Sequence, residues 1–99
     1  MSLAIVFRPE AKADVLAAYD WYEEQQSGLG SVFVDALSGL LDQVRTMPQM
    51  YPVVLRDARR GKLRKFPYLI YYRAHTDRIE VIAVFHGSRD PKRWQERVN

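Results

Sequence analysis

No cysteine occurs in these 99 residues, which excludes disulfide staples, thiolate metal sites and cysteine nucleophiles. Histidine is nearly as scarce: there are two, His75 and His86. Neither has a convincing third ligand, so no metal and no cofactor is expected. No apolar run approaches the roughly 20 residues of a membrane-spanning helix. The opening run, Leu3-Ala4-Ile5-Val6-Phe7, is far too short and lacks the basic leader of a signal peptide. Repeats, low-complexity tracts and linkers are missing too. The expectation is one soluble domain over residues 1–99, cytoplasmic, with no membrane partner.

What the chain has is an uneven distribution of charge. Residues 1–49 carry Arg8, Lys12 and Arg45 against seven acids, a balance of −4. Residues 50–99 carry twelve Lys and Arg against five acids, a balance of +7. The net +3 therefore conceals a basic C-terminal half, and lopsided charge speaks about partners, not fold. Arg56, Arg59, Arg60, Lys62, Arg64 and Lys65 put six cations into ten residues, relieved only by Asp57. That exceeds what solubility needs and points to a partner site.

Leu3 to Phe7 has the length of a buried strand. Pro9 suits the first turn of a helix, with Glu10 and Asp14 near its positive end. Ala11, Val15, Ala18 and Tyr22 recur at helical spacing, and Tyr19 and Trp21 beside them read as packing. Gly28 or Gly30 ends this helix. Phe33, Leu37, Leu40, Leu41 and Val44 mark a second helix, stopped at Met47-Pro48. So short a link predicts an antiparallel helical hairpin. From Val53 onward the signals are β, with Arg60-Gly61 a plausible turn and Pro67 a bulge, edge or break. Asp90-Pro91 reads as an N-cap and first-turn proline opening a short helix through Arg97.

The last two strands have a predictable register. With Thr76-Asp77 at the loop tip, Tyr72 faces Val81, Ile70 faces Ala83 and Tyr68 faces Phe85, an apolar set for the helices to cover. The other face pairs Arg73 with Glu80, Tyr71 with Ile82 and Leu69 with Val84. The Arg73–Glu80 pair supports this register, at about 0.2–1 kcal/mol. Leu69, Tyr71, Ile82 and Val84 then point away from the helices, on the face of His86. So much apolar surface should not stay wet. Either the C-terminal segment folds over it with Trp94, or another chain does. The expected class is α+β in the order β-α-α-β-β-β. The hairpin packs on one face of a small, mainly antiparallel twisted sheet, and a short C-terminal helix follows.

This order, with Ala11-Lys12-Ala13-Asp14-Val15 at the first helix, Phe33 to Val44 before Pro48, Phe66-Pro67-Tyr68-Leu69-Ile70-Tyr71-Tyr72-Arg73, and His86-Gly87-Ser88-Arg89-Asp90-Pro91, resembles the RelE/ParE superfamily. These are the small toxins of bacterial type II toxin–antitoxin modules. The resemblance covers nearly the whole chain. It implies a toxin neutralised by a cognate antitoxin that is small, acidic and partly disordered. RelE-like members cut messenger RNA on the ribosome, whereas ParE-like members poison DNA gyrase without being nucleases. A nuclease would need a base, cations and an acid at one phosphate, and the set available is His86 with Arg64, Arg73 and Arg89. RelE-like members usually add a C-terminal tyrosine or histidine, but no tyrosine follows Tyr72. The His-x-x-Arg-Asp ending is closer to the ParE-like side.

The expectation is therefore a gyrase-directed toxin with no assigned catalytic residue. Its antitoxin or target would contact Arg56, Arg59, Arg60, Lys62, Arg64, Lys65, Leu69, Tyr71, Ile82, Val84, His86, Arg89 and Trp94. A ribosome-dependent endoribonuclease and a non-toxic nucleic-acid or protein-binding domain are the alternatives. Bland readings stand beside these roles: His86 as a strand end, Arg73 as the partner of Glu80, and Asp90 as a cap.

Overall fold

A proline at the first helical position and a left-handed glycine at the first bend fix the N-terminal half. In a computed structural model that describes residues 3–99, β1 (Ala4–Phe7) leads into α1 (Pro9–Gln25), whose Pro9 needs no backbone donor. Gly28, at φ +89°, turns the chain into α2 (Leu29–Thr46). The Glu23 carboxylate accepts hydrogen bonds from the backbone N–H groups of Gly28 (3.1 Å) and Gly30 (2.8 Å). It thereby satisfies orphan donors at the positive end of α2. Gly30 lies inside the first turn of α2, where the helices touch: a Cβ there would sit 2.8 Å from the Tyr19 carbonyl oxygen.

Four further strands and a helix follow: β2 (Val53–Leu55), β3 (Ala58–Lys62), β4 (Tyr68–Ala74), β5 (Arg78–His86) and α3 (Pro91–Val98). The sheet order is β1-β5-β4-β3-β2, antiparallel except for β1 beside β5. The α+β class, the hairpin and the short last helix match expectation. Two local readings do not. Arg60-Gly61 lies within β3, and the turn falls at Arg56-Asp57, where Arg56 adopts φ +53°. β1 is an edge strand with Val6 exposed, because the chain returns to pair β5 with it on one side only.

The predicted register holds from Ala74 to Tyr72 and then slips by one residue. Tyr72 pairs with Val81, but Tyr71 pairs with Ala83, Ile70 with Val84, Leu69 with Phe85 and Tyr68 with His86. The extra residue is a β-bulge at Ile82, and a one-residue slip exchanges faces. Val84 therefore packs with Ile70 and Tyr72 against the hairpin, while Phe85 joins Tyr71 and Ile82 on the opposite face. Asp14 of α1 accepts the backbone N–H of Val84, just past the bulge, at 3.0 Å.

α3 closes that opposite face. Trp94 is 7% exposed and stacks on Tyr71 with ring centroids 4.5 Å apart. Val98 adds to the same small core of Ala58, Tyr71, Ile82, Ala83 and Phe85. Asp90 caps the helix by accepting the Lys92 N–H at 3.0 Å. Of the two expected ways of covering this face, closure by the C-terminal segment with Trp94 is the one found: Tyr71, Ile82 and Trp94 bury one another and are not open to a second chain, while Val84, expected on this face, packs on the other.

Candidate functional site

The basic segment does not form one patch, because strand alternation and local anchoring divide it. Arg59 is turned inward, its guanidinium donating to the carbonyls of Tyr51 (2.7 Å) and Gln49 (3.3 Å) and pinning the loop before β2. Arg56 donates to the Asn99 side chain at 2.8 Å. Arg60 pairs across the strands with Tyr71 on the α3 face. Lys62 and Arg64 reach the flank of α2, where with Asp35, Ala36, Gly39, Leu40 and Gln43 they line a cavity of about 410 Å³. Lys65 occupies the β3–β4 loop at φ +68°.

Arg73 is anchored firmly. It meets Asp57 at 2.7 Å and Glu80 at 3.9 Å, and donates to the Val98 carbonyl at 3.3 Å. The Arg73 hydrogen bond, despite slight burial, holds the Asp57 carboxyl below its usual range. Burial alone would raise Glu80, but hydrogen bonds from His75 (2.9 Å) and Arg8 (2.6 Å), with the Arg8 and Arg73 charges, outweigh it and lower its pKa. Arg97 grips both Asp14 oxygens, at 2.6 and 3.0 Å, and Arg8 donates to the Arg97 carbonyl at 2.8 Å. These cations tie α3 to the rest of the domain. The Asp14–Arg97 contact spans 83 positions, and no short-range pattern announces it.

His86 and Arg89 stand at the other end of the strands, around a groove beside α1. His86 ends β5 on the hairpin side, paired with Tyr68. Its Nδ1 accepts the backbone N–H of Ser88 at 3.0 Å, with the Ser88 hydroxyl at 2.8 Å. An accepting Nδ1 leaves the proton of the neutral ring on Nε2, as a donor. Arg89 lies over the Phe85 ring, 4.4 Å from its centroid, and meets no carboxylate among the described residues. Ala13, Asp14, Ala17, Trp21, Tyr68, His86 and Arg89 border a cavity of about 350 Å³. A second, about 400 Å³, shares Trp21, Tyr68 and His86. Trp21, read from sequence as packing, is 54% exposed. Its signal was present: Ala13, Ala17 and Trp21 recur four apart as a second apolar stripe of α1, flanking the buried stripe of Ala11, Ala18 and Tyr22.

The nuclease set is therefore divided. His86 and Arg89 share the α1 groove, Arg64 lies beside α2, and Arg73 is held among carboxylates at the far end of β4. Among the described residues no three His, Asp or Glu side chains gather as a metal site. Among the described residues, no helix is long and apolar enough to cross a membrane.

Residues 5–91 match the family described as the ParE toxin of the type II toxin–antitoxin system, parDE. The chain belongs to the ParE toxin family. Toxin ParE2 from two strains of Mycobacterium tuberculosis, CDC 1551 / Oshkosh and H37Rv, is 27% identical over 90 residues, covering 87% of this chain and 83% of the relative. A structure titled as the chromosomal ParDE TA system from P. aeruginosa has the same fold, with a TM-score of 0.63 and 19% identity. The match covers 86% of this chain and 96% of that one. The ParE-like side of the superfamily is the one found. In family terms, the chain is the toxin of a ParDE-type toxin–antitoxin system.

Proposed function

We propose that this ParE-family toxin arrests growth by binding DNA gyrase, without cutting nucleic acid, and is held inactive by a small acidic antitoxin. The observation that carries the binding reading is the separation of the candidate nuclease residues. Cleavage by a 2′-hydroxyl needs a base, an acid and charge stabilisation around one phosphate, whereas Arg73 is tied to Asp57 and Glu80, and Arg64 lies on another flank. Binding requires only complementary surface. Exposed Lys62, Arg64 and Lys65 supply cations for an acidic partner and for steering it.

Induced expression should arrest growth, and co-expression of the cognate antitoxin, to be sought as a small acidic protein in a neighbouring reading frame, should restore it. Primer extension on messenger RNA from arrested cells should reveal no discrete cuts. Cuts that disappear in His86→Ala would instead establish a ribosome-dependent nuclease. An absence of arrest would remove the toxin reading and leave a non-toxic binding domain.

A further inference from the structure

The sheet has two edges, and they are finished differently. β2 is guarded: it has three residues, Pro52 precedes it, its register against β3 shifts between Val53 and Leu55, and Arg56 turns the chain away at φ +53°. Short length, proline, bulges and charge are the means by which an edge avoids further pairing. β1 has none of them. Leu3-Ala4-Ile5-Val6-Phe7 is apolar throughout, β1 runs in unbroken register along β5, and no strand continues the sheet beyond it among the described residues. Val6 on this edge is 46% exposed.

The direction of the free main-chain groups follows from one bond. Arg8 donates its N–H to the Val81 carbonyl at 3.0 Å, so Val6 and Ala4, two and four residues back, also turn their main-chain groups to β5. Leu3, Ile5 and Phe7 therefore direct N–H and C=O to the open side, and such a row is a ready template for another strand.

We propose that β1 pairs antiparallel with β1 of a second copy of this chain, about a twofold axis through Ile5, joining two five-stranded sheets into one. Ile5 then exchanges both its bonds with Ile5 of the second copy, and Leu3 does so with Phe7, about six hydrogen bonds in all. Between these pairs Val6 lies opposite Ala4, a large side chain beside a small one, and both are exposed in the single chain. On the hairpin side Leu3, Ile5 and Phe7 are only partly buried, and they meet across the seam.

Charge and sequence select the occupant. The strand carries no charge, so nothing on it chooses an acidic or a basic segment. Its flanking cation, Arg8, is already held by Glu80 at 2.6 Å and by the Arg97 carbonyl at 2.8 Å. The twofold sets the two Arg8 residues at opposite ends of the seam, about 20 Å apart at the rise of a strand, which is beyond a Debye length. The strand thus fits its own reverse without repulsion, and a twofold pair closes on itself. This pairing is independent of the gyrase and antitoxin readings.

Sedimentation velocity of the full chain, from micromolar to millimolar, should show a monomer giving way to a dimer. Added salt, which screens the net +3 of each copy, should strengthen the dimer. Val6→Lys, a charge placed on the edge, should weaken it about tenfold with an unchanged melting temperature, since Val6 is exposed. Because the chain has no cysteine, oxidation can read the register. A mixture of Ala4→Cys and Val6→Cys chains should form a disulfide across the seam. Neither variant should do so alone, because like positions lie diagonally, about 7–8 Å apart. A monomer at every concentration would overturn the proposal and leave the edge to a strand of another protein. A dimer that Val6→Lys leaves intact, and that the mixed cysteines fail to link, would put the contact on another surface and overturn it too. Equal linking in the mixture and in each variant alone would report random collision and overturn the register.

Discussion

The two faces of the sheet are closed by different physics. On the hairpin face, Phe33 packs against Tyr22, Phe66 and Tyr68 with centroids 5.1–5.4 Å apart, and the core extends through Leu37, Leu40, Val44, Ile70 and Tyr72. On the α3 face, two side chains of an eight-residue helix, Trp94 and Val98, cover the sheet. Arg8, Arg73 and Arg97 fasten that helix at its rim. A broad apolar core is insensitive to salt and pH, whereas an ionic latch responds to both. The hairpin is thus the scaffold, and α3 is the part whose attachment varies with conditions.

The largest effect should come from the scaffold: Phe33→Ala, fully buried, should cost about 4 kcal/mol in urea denaturation. A loss of below about 1 kcal/mol would mean that the hairpin core does not dominate. Asp14→Ala should follow at about 3 kcal/mol, since it strands the partly buried Arg97 and the Val84 N–H together. Hydrogen exchange offers a direct contrast: α3 amides should open well before those of α2, and equal protection would abolish the distinction between the faces.

Acid comes next. The Asp57 and Glu80 carboxyls lie below their ordinary values of 3.8 and 4.5. Their stabilisation is therefore complete above those values and lost as pH falls through the lower folded ones. α3 should loosen there, as followed by the near-ultraviolet dichroism of Trp94, and Glu80→Gln should flatten the profile. Salt should have the smallest effect, at most about 1 kcal/mol for the exposed Arg73–Asp57 pair.

Local signals were legible in the sequence. Pro9, Gly28 and Asp90-Pro91 bound helices where the residues say they should, and the Arg73–Glu80 pair fixes the hairpin tip of β4 and β5. The bulge at Ile82 was not legible, because Val81 to Phe85 is apolar at every position and alternation carries no information where nothing is polar. Its slip moved Val84 and His86 toward α1 and so created the groove. Arg59 was misread for another reason: its partners are main-chain carbonyls, which have no sequence signature. Trp21 was misread because one packed face of α1 was assumed to be enough.

A supercoiling assay with purified gyrase tests the central claim most directly. The parent chain should inhibit supercoiling, and charge-neutral replacements at Arg73 that preserve folding should not relieve the inhibition. Full gyrase activity at saturating protein, alongside ribosome-dependent cleavage of messenger RNA, would contradict it.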